Sequence, residues 1–386
     1  MTATNWRAVL LLWAAGLGSA AQFAKISITY PELQAHYAGS GTAIGFAVSL
    51  VGFVGLCLGV VAGVLAARLG YRRVLIAALA VGALASGFQA LLPPLPLLLA
   101  SRLVEGASHL AIVVAAPTLM ALLSSDQQRG LTLSLWSTFF GVAFAVLAFA
   151  GLPLVQRHGP DSLYAAHGVY MAMMAGLLMF AVPKDDAPPA GAAPFGRLLR
   201  DHLRIYRSPS LSAPALGWVC YTATFLAILT IMPAQLPITA RASLVAFMPI
   251  AGILVAMSVG VLLLRIVPAV RLVQAGFALC LLSAWLIWMT PGQLWTYLAL
   301  AAAMGLVQGP SFAAVAQLNA DPGAQAEAHG AMSQMGNLGT TLGTPALAVL
   351  VAGWGVTGFL IFAVICFGSG FGVHHWAAIR RKAAAV

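Results

Sequence analysis

Apolar runs of about twenty residues, each long enough to cross the hydrocarbon core of a bilayer as a helix, follow one another through almost the whole chain. In the first half they lie near 8–31, 42–66, 73–92, 95–122, 130–153 and 163–182, and in the second near 211–233, 243–264, 270–289, 293–317, 327–352 and 356–377. Of the 386 residues 61% are hydrophobic and 7% charged, where an ordinary soluble domain carries about 25% charged residues. In lipid every backbone N–H and C=O must be satisfied within the protein, which leaves helices or closed barrels, and the alternating pattern of a barrel strand is missing. The sequence therefore predicts an all-α membrane protein of twelve transmembrane helices in two pseudo-symmetric six-helix halves, 1–183 and 211–386, joined by a linker over 184–210.

The net charge of +10 is too dispersed for a nucleic-acid surface and reads as topology. Short cytoplasmic loops collect Lys and Arg. One set of loops holds Arg68, Arg72 and Arg73, then Arg129, Lys184 through Arg207, Arg265 and Arg271, and Arg380, Arg381 and Lys382; the other set has Arg157 and Arg241. Both termini and the linker are thus expected on the cytoplasmic side of a cell (inner) membrane. Arg7 precedes an apolar run that reaches Tyr30 without a cleavage-site pattern, so this run is read as the first span rather than a signal peptide. In the linker, Arg197, Arg200, Arg204 and Arg207 recur at helical spacing beside Phe195, Leu198, Leu199, Leu203 and Tyr206, as in a helix lying on an anionic membrane surface. Cys57, Cys220, Cys280 and Cys366 sit in apolar segments without metal-ligand spacing and read as reduced, buried residues.

Ionisable side chains inside the spans are the costly exceptions, at roughly 2.5–3.5 kcal/mol each even on gentle insertion scales, and they usually face a bundle interior or a water-filled path. Arg102, Glu105 and His109 share one helix face by their i, i+3, i+7 spacing. Lys25 lies in the first span with Gln22 three residues before it. At about 1.5 Å rise per residue, Lys25 and Arg102 both fall in the outer half of the bilayer and at similar depth. Two cations against one deep acid, Glu105, favour an anion over an organic cation. Arg102 can hold a carboxylate bidentately and Lys25 acts as a point charge. The second half offers neutral polar groups only: Gln308 and Ser311, and the stripe Ser333, Asn337, Thr340 and Thr344. Trp218, Tyr221 and Phe225 make one aromatic face and Trp136 with Phe140 another. These readings give Lys25, Arg102, Gln22, Trp136, Tyr221, Gln308 and Asn337 as candidate substrate contacts, with Glu105 and then His109 as candidate proton-coupling groups.

Small residues repeat every fourth position at Gly55, Gly59 and Gly63, and again at Gly339 and Gly343, which suits close helix packing and sliding. Gly-Val-x-x-x-Arg occurs at the end of the second span, Gly63 to Arg68, and of the eighth, Gly260 to Arg265, the weak internal repetition of a two-half transporter.

The segment GVLAARLGYRR, Gly63 to Arg73, resembles the signature loop of the major facilitator superfamily, Gly-x-Leu-Ala-Asp-Arg-x-Gly-Arg-Arg. Gly63, Leu65, Ala66, Arg68, Gly70, Arg72 and Arg73 fit it; Ala67 stands in place of the Asp and Tyr71 in place of an Arg. The missing acid implies a weaker or different latch on the cytoplasmic side. Arg102, Glu105 and Gly106 match the family's Arg-x-x-Gln-Gly pattern on the fourth helix, with Glu in the Gln position. The Gly-Pro pair typical of drug-proton antiporters on the fifth helix is missing from FFGVAFAVLAFAGLP. The resemblance implies a conformational-switch loop at Gly63, Arg68, Gly70, Arg72 and Arg73, and transport by alternating access.

No nucleotide-binding loop, His/Glu metal cluster or nucleophile with a placed base occurs, so no enzyme, cofactor or metal is expected. The leading expectation is a monomeric secondary transporter that moves a small anionic, carboxylate-type solute in symport with protons across the lipid bilayer. Its rivals are a proton-driven exporter of drugs or metabolites and a receptor that binds without transporting. Nucleic acid is not an expected partner.

Overall fold

The computed structural model describes residues 3–39, 44, 46–184 and 195–383. The start of the second run at 42 and the Pro- and Ala-rich opening of the linker at 185–194 lie outside the described residues. Among the described residues, eleven helices are long and apolar enough to cross a membrane. One of these, α16 (Pro322–Ala383, 62 residues), would measure about 93 Å if straight, by the 1.5 Å rise of a helix. That is about three times the thickness of a hydrocarbon core. It turns instead at Gly355, where φ 54 and ψ −134 break the helix. A Cβ built at Gly358 would collide with the carbonyl of Leu350, so the chain doubles back on itself and supplies the eleventh and twelfth spans.

The chain forms two compact units, residues 1–125 with 138–198, and residues 126–137 with 199–386. In the first unit α1 (Trp6–Ile28) packs against α5 (Leu95–Leu122), α7 (Phe139–Val146) and α9 (Pro160–Ala181), while α3 (Phe46–Leu69) and α4 (Tyr71–Gln89) flank α5. In the second unit α11 (Ser212–Ile231) packs along α16, α14 (Ala269–Met289) lies between α15 (Leu294–Leu318) and α16, and α12 (Ile238–Val255) rests on α15. The first apolar run ends sooner than its composition suggests. Helix α1 stops at Ile28, and Pro31 enters the short helix α2 (Tyr30–His36) near its start, where its missing N–H has no helical partner to lose.

The fifth span differs most from expectation. It continues to His158 rather than ending near 153, as α6 (Arg129–Ser137), α7, a π-turn at Leu147–Gly151 and α8 (Leu152–His158). Its α6 portion belongs to the second unit, where Gln308 Nε2 donates to the Ser137 carbonyl at 2.6 Å and Gly309 leaves room for Ser134. A second π-turn, Ala256–Gly260, lies in the eighth span.

Gly70, at φ 93, joins α3 to α4 with a single residue, a backbone geometry that glycine alone adopts without strain. From the first turn of α4, Arg72 donates through Nε to the Val182 carbonyl at 2.9 Å and through Nη2 to Met179 at 2.5 Å. It thereby satisfies carbonyls that the end of α9 leaves unpaired. The linker helix expected from the arginine spacing is present as α10 (Phe195–Arg207). The Arg204–Glu327 ion pair at 2.5 Å and the hydrogen bond from Tyr206 to Gln334 at 2.7 Å hold it to the start of α16, and Ile205 on the same helix is buried.

Glycine lets α11 and α16 touch backbone to backbone. A Cβ at Gly343 would run into the main chain of Ala223, whereas one at Gly372 would meet nothing within 4 Å. We expect Gly343→Ala to lower stability by about 1–3 kcal/mol through overpacking. Gly372→Ala should be neutral or stabilising by up to about 1 kcal/mol through helix propensity. Thermal unfolding of the two variants in the same detergent checks the contrast, and equal melting temperatures would remove the close-packing argument.

Candidate functional site: a desolvated charge cluster in the first unit

Four helices of the first unit converge on Glu105. Its own helix, α5, contributes Ser101, Arg102, Ser108 and His109; α1 contributes Ser19, Gln22 and Lys25; α4 contributes Ser86 and Gln89; and α9 contributes Tyr164 and His167. Lys25, Arg102 and Glu105 are each 0% exposed. Lys25 Nζ lies 2.6 Å from Glu105 Oε1, and Arg102 Nη1 pairs with Glu105 Oε2. Gln89 Nε2 donates to the same Oε2 at 2.8 Å. Arg102 also donates from Nε to the Ala47 carbonyl on α3 at 2.7 Å. Its remaining nitrogen, Nη2, is buried without a hydrogen-bond partner among the described residues, as is Gln22 Oε1.

The acceptors around Lys25 match its donors. An ammonium has three N–H groups, and Nζ faces Glu105 Oε1, Ser86 Oγ at 2.5 Å and His167 Nδ1 at 3.4 Å, with the Tyr164 ring 5.5 Å away. The histidine tautomers follow from carbonyls, which only accept. His167 Nε2 lies 2.9 Å from the Gly18 carbonyl and must carry the proton. Its Nδ1 is then an acceptor, 2.7 Å from Ser86 Oγ. His109 is the reverse, with Nδ1 carrying the proton towards the Ser19 carbonyl at 3.0 Å. Gln22 Nε2 reaches Ser108 Oγ at 3.0 Å, and Thr29 Oγ1 meets Tyr164 Oη at 2.6 Å.

The cluster brings Gln22, Lys25, Arg102, Glu105 and His109 together, and both cations share the one acid. Both cations lie in the bundle interior, one of the two settings expected of intramembrane charges, and are paired with Glu105. One expectation is corrected: the second half holds buried ionisable groups beside its neutral polar ones, since His329 is 2% and His374 0% exposed. The other candidates, Trp136, Tyr221, Gln308 and Asn337, lie in the second unit. Trp136 is fully buried on α6, while Phe140, expected to share its face, packs in the first unit with Phe23, Phe139 and Phe144. The two residues belong to different units, on either side of the helix boundary at Thr138. Tyr221 stacks between Trp218 and Phe225. Gln308 is tied to Ser137, and Asn337 donates to the Ser333 carbonyl at 2.8 Å one turn back on its own helix.

Sequence reading missed His167, Ser86, Gln89 and Tyr164. His167 lies in an apolar run just as His109 does, and the same rule would have found it. Ser86 and Gln89 carry no such signal, since small polar residues inside spans ordinarily bond their own backbone. The second unit also holds a cavity of about 570 Å³ lined in part by Asp126, Arg129, Arg265 and Gln317. Its Asp126–Arg129 pair is 78% and 34% exposed, so it lacks the desolvation that sets the Glu105 cluster apart.

The chain belongs to the Major Facilitator Superfamily, whose family model matches residues 12–344. Its fold is accordingly that of a transporter and not an enzyme, a multi-pass membrane protein carrying small molecules. Similar solved structures include the E. coli fucose:proton symporter FucP, at 18% identity and TM-score 0.75 over 97% of this chain and 99% of that one. The human organic anion transporter MFSD10 (TETRAN) matches at 18% identity and TM-score 0.75 over 97% and 100%. The proton:xylose symporter XylE matches at 15% identity and TM-score 0.73 over 95% and 94%. No curated protein matches the sequence.

Charge arithmetic predicts an asymmetry within the cluster. Losing Lys25 leaves Arg102 and Glu105 neutral as a pair, whereas losing Glu105 leaves two buried cations with no counter-charge. Glu105→Leu should cost about 3–5 kcal/mol, the range for stripping one partner from a buried pair, and Lys25→Met clearly less. Melting temperatures of the two variants check this, and a Lys25→Met protein as unstable as Glu105→Leu would contradict it.

Proposed function

We propose that the protein is a secondary active transporter that moves a small carboxylate-type anion together with a proton, through alternating access of its two six-helix halves, 1–183 and 211–386. The single observation that carries this reading is the charge of the buried cluster: Lys25 and Arg102 against Glu105, with Arg102 Nη2 unpartnered among the described residues. A carboxylate entering from solvent finds in Arg102 a planar donor with one nitrogen to spare and can displace Glu105 from it. Once Arg102 is engaged elsewhere, Glu105 loses part of the field that keeps it ionised and binds a proton. The cluster then returns to its starting charge with one monoanion and one proton aboard, so the two travel together. Two of the similar folds are described as proton symporters and one as an organic anion transporter, and the reading combines those properties. Arginine-rich loops on one side orient both termini to the cytoplasm by the positive-inside rule. One chain contains the whole cluster, and the transporter works as a monomer.

A ligand that binds only the folded state raises its melting temperature. Acetate, lactate, succinate and benzoate form a first panel, and at least one should stabilise the purified protein. Arg102→Lys keeps the charge but not the fork, and should weaken binding at least tenfold, equivalent to about 1.4 kcal/mol. Glu105→Gln should retain exchange of the bound carboxylate across proteoliposome membranes while losing accumulation driven by a pH gradient. Stabilisation by none of the panel would overturn the anion reading, and undiminished accumulation by Glu105→Gln would overturn the coupling role of Glu105.

A further inference from the structure

His167 and Ser86 have no part in holding the solute under the reading above, yet both are oriented toward Glu105 with defined hydrogen-bond polarity. His167 Nε2–H is fixed on the Gly18 carbonyl at 2.9 Å, which leaves Nδ1 bare and aimed at Ser86 Oγ, 2.7 Å away. Ser86 Oγ in turn lies 3.3 Å from Glu105 Oε1. Three side chains from three helices, α9, α4 and α5, therefore stand in line with a bare ring nitrogen at one end and a carboxylate at the other. All three are buried, with His167 at 6%, Ser86 at 0% and Glu105 at 0% exposure. His167 is the least buried of the three. At seven residues from Pro160, the first residue of α9, its Cα lies about 10 Å along the helix from that end by the 1.5 Å rise.

We propose that His167 and Ser86 form a proton relay that delivers the coupled proton to Glu105. The inference rests on the proton-coupled reading of the cluster. A proton arriving on His167 Nδ1 passes to Ser86 Oγ as Ser86 gives its own hydroxyl proton to Glu105 Oε1. The imidazole returns to its neutral Nε2–H form, the serine is regenerated, and the carboxylate becomes a carboxylic acid; no other bond is made or broken. The charged groups that face His167 set when this happens. Lys25 on α1 stands 3.4 Å from Nδ1 and repels an imidazolium, whereas Glu105 attracts it and Arg102, behind Glu105, opposes it. While Lys25 is clamped to Glu105 the relay is blocked at both ends, because the ammonium lies against His167 Nδ1 as well as against Glu105 Oε1. A carboxylate solute that draws Lys25 away opens Oε1 and relieves the repulsion on His167, so proton delivery follows solute binding rather than preceding it. His109 lies outside this line, since its proton-bearing Nδ1 is turned to Ser19 on α1.

The test uses whole protein in proteoliposomes and whichever of acetate, lactate, succinate or benzoate most stabilises the wild type. Ser86→Ala and His167→Gln should each slow uptake driven by a pH gradient at least tenfold while counterflow exchange at equal pH stays within twofold of wild type. Ser86→Thr, which restores a hydroxyl, should recover most of the driven rate. A merely structural role for Ser86 or His167 would depress exchange and driven uptake together. Driven uptake at the wild-type rate in both Ser86→Ala and His167→Gln would overturn the relay while leaving Glu105 as the coupling acid. A wild type that exchanges the carboxylate but ignores the pH gradient overturns the coupled reading and the relay with it.

Discussion

The first unit is organised around one buried carboxylate shared by two buried cations. Glu105 takes Lys25 on one oxygen and Arg102 on the other, and each of the three would be prohibitive alone in a low-dielectric interior. The sharing fixes the mutual placement of α1 and α5, and through the Ser86 and Gln89 hydrogen bonds it adds α4. His167 brings in α9 by way of Gly18 and Ser86. Such an arrangement is poor as a source of stability, because well-packed apolar residues do as well. A fourth charge entering such a cluster would change which pairs are satisfied.

Around this centre the helices pack through small residues rather than interlocked large ones. The approach of Gly339 and Gly343 to the backbone of α11, and of Gly106 to Val51 and Val54 on α3, gives broad smooth contacts. In lipid no hydrophobic force drives helices together, so close van der Waals approach is the main attraction available to such surfaces. Contacts of this kind permit sliding with little loss, which suits a protein whose work is to change shape. The π-turns in the fifth and eighth spans place a widened backbone in both units, and such turns recur where helices bend for function.

The superfamily signature loop has a role of its own here. With Ala67 in the usual acid's position, Arg72 is engaged with the last carbonyls of α9. It anchors the tight Gly70 connection to the sixth span and holds the third and sixth spans together at their arginine-rich end. The linker helix makes a comparable tie at the start of α16 through Arg204 and Tyr206. Charges near the helix ends thus secure each unit, and the charges deep within the first unit are left for chemistry.

Hydrophobic run length and the cost of unpaired backbone in lipid determine the class, the helix count and the span positions, and these were legible in the sequence to within a few residues. So was the cost of Lys25, Arg102 and Glu105, because no packing arrangement makes an intramembrane charge cheap. The run around 130–153 was harder, since hydropathy registers neither the break at Thr138 nor the assignment of Trp136 and Phe140 to different units. Which polar groups meet was decided by tertiary structure alone. Ser86 and Gln89 look like ordinary helix residues until α4 is set against α5, and His167 is an isolated histidine until α9 reaches Gly18. Sequence spacing reports which residues share a face of one helix. The rotation and depth of that helix against its neighbours come from the packing of side chains far apart in the chain, and these settle which charges pair.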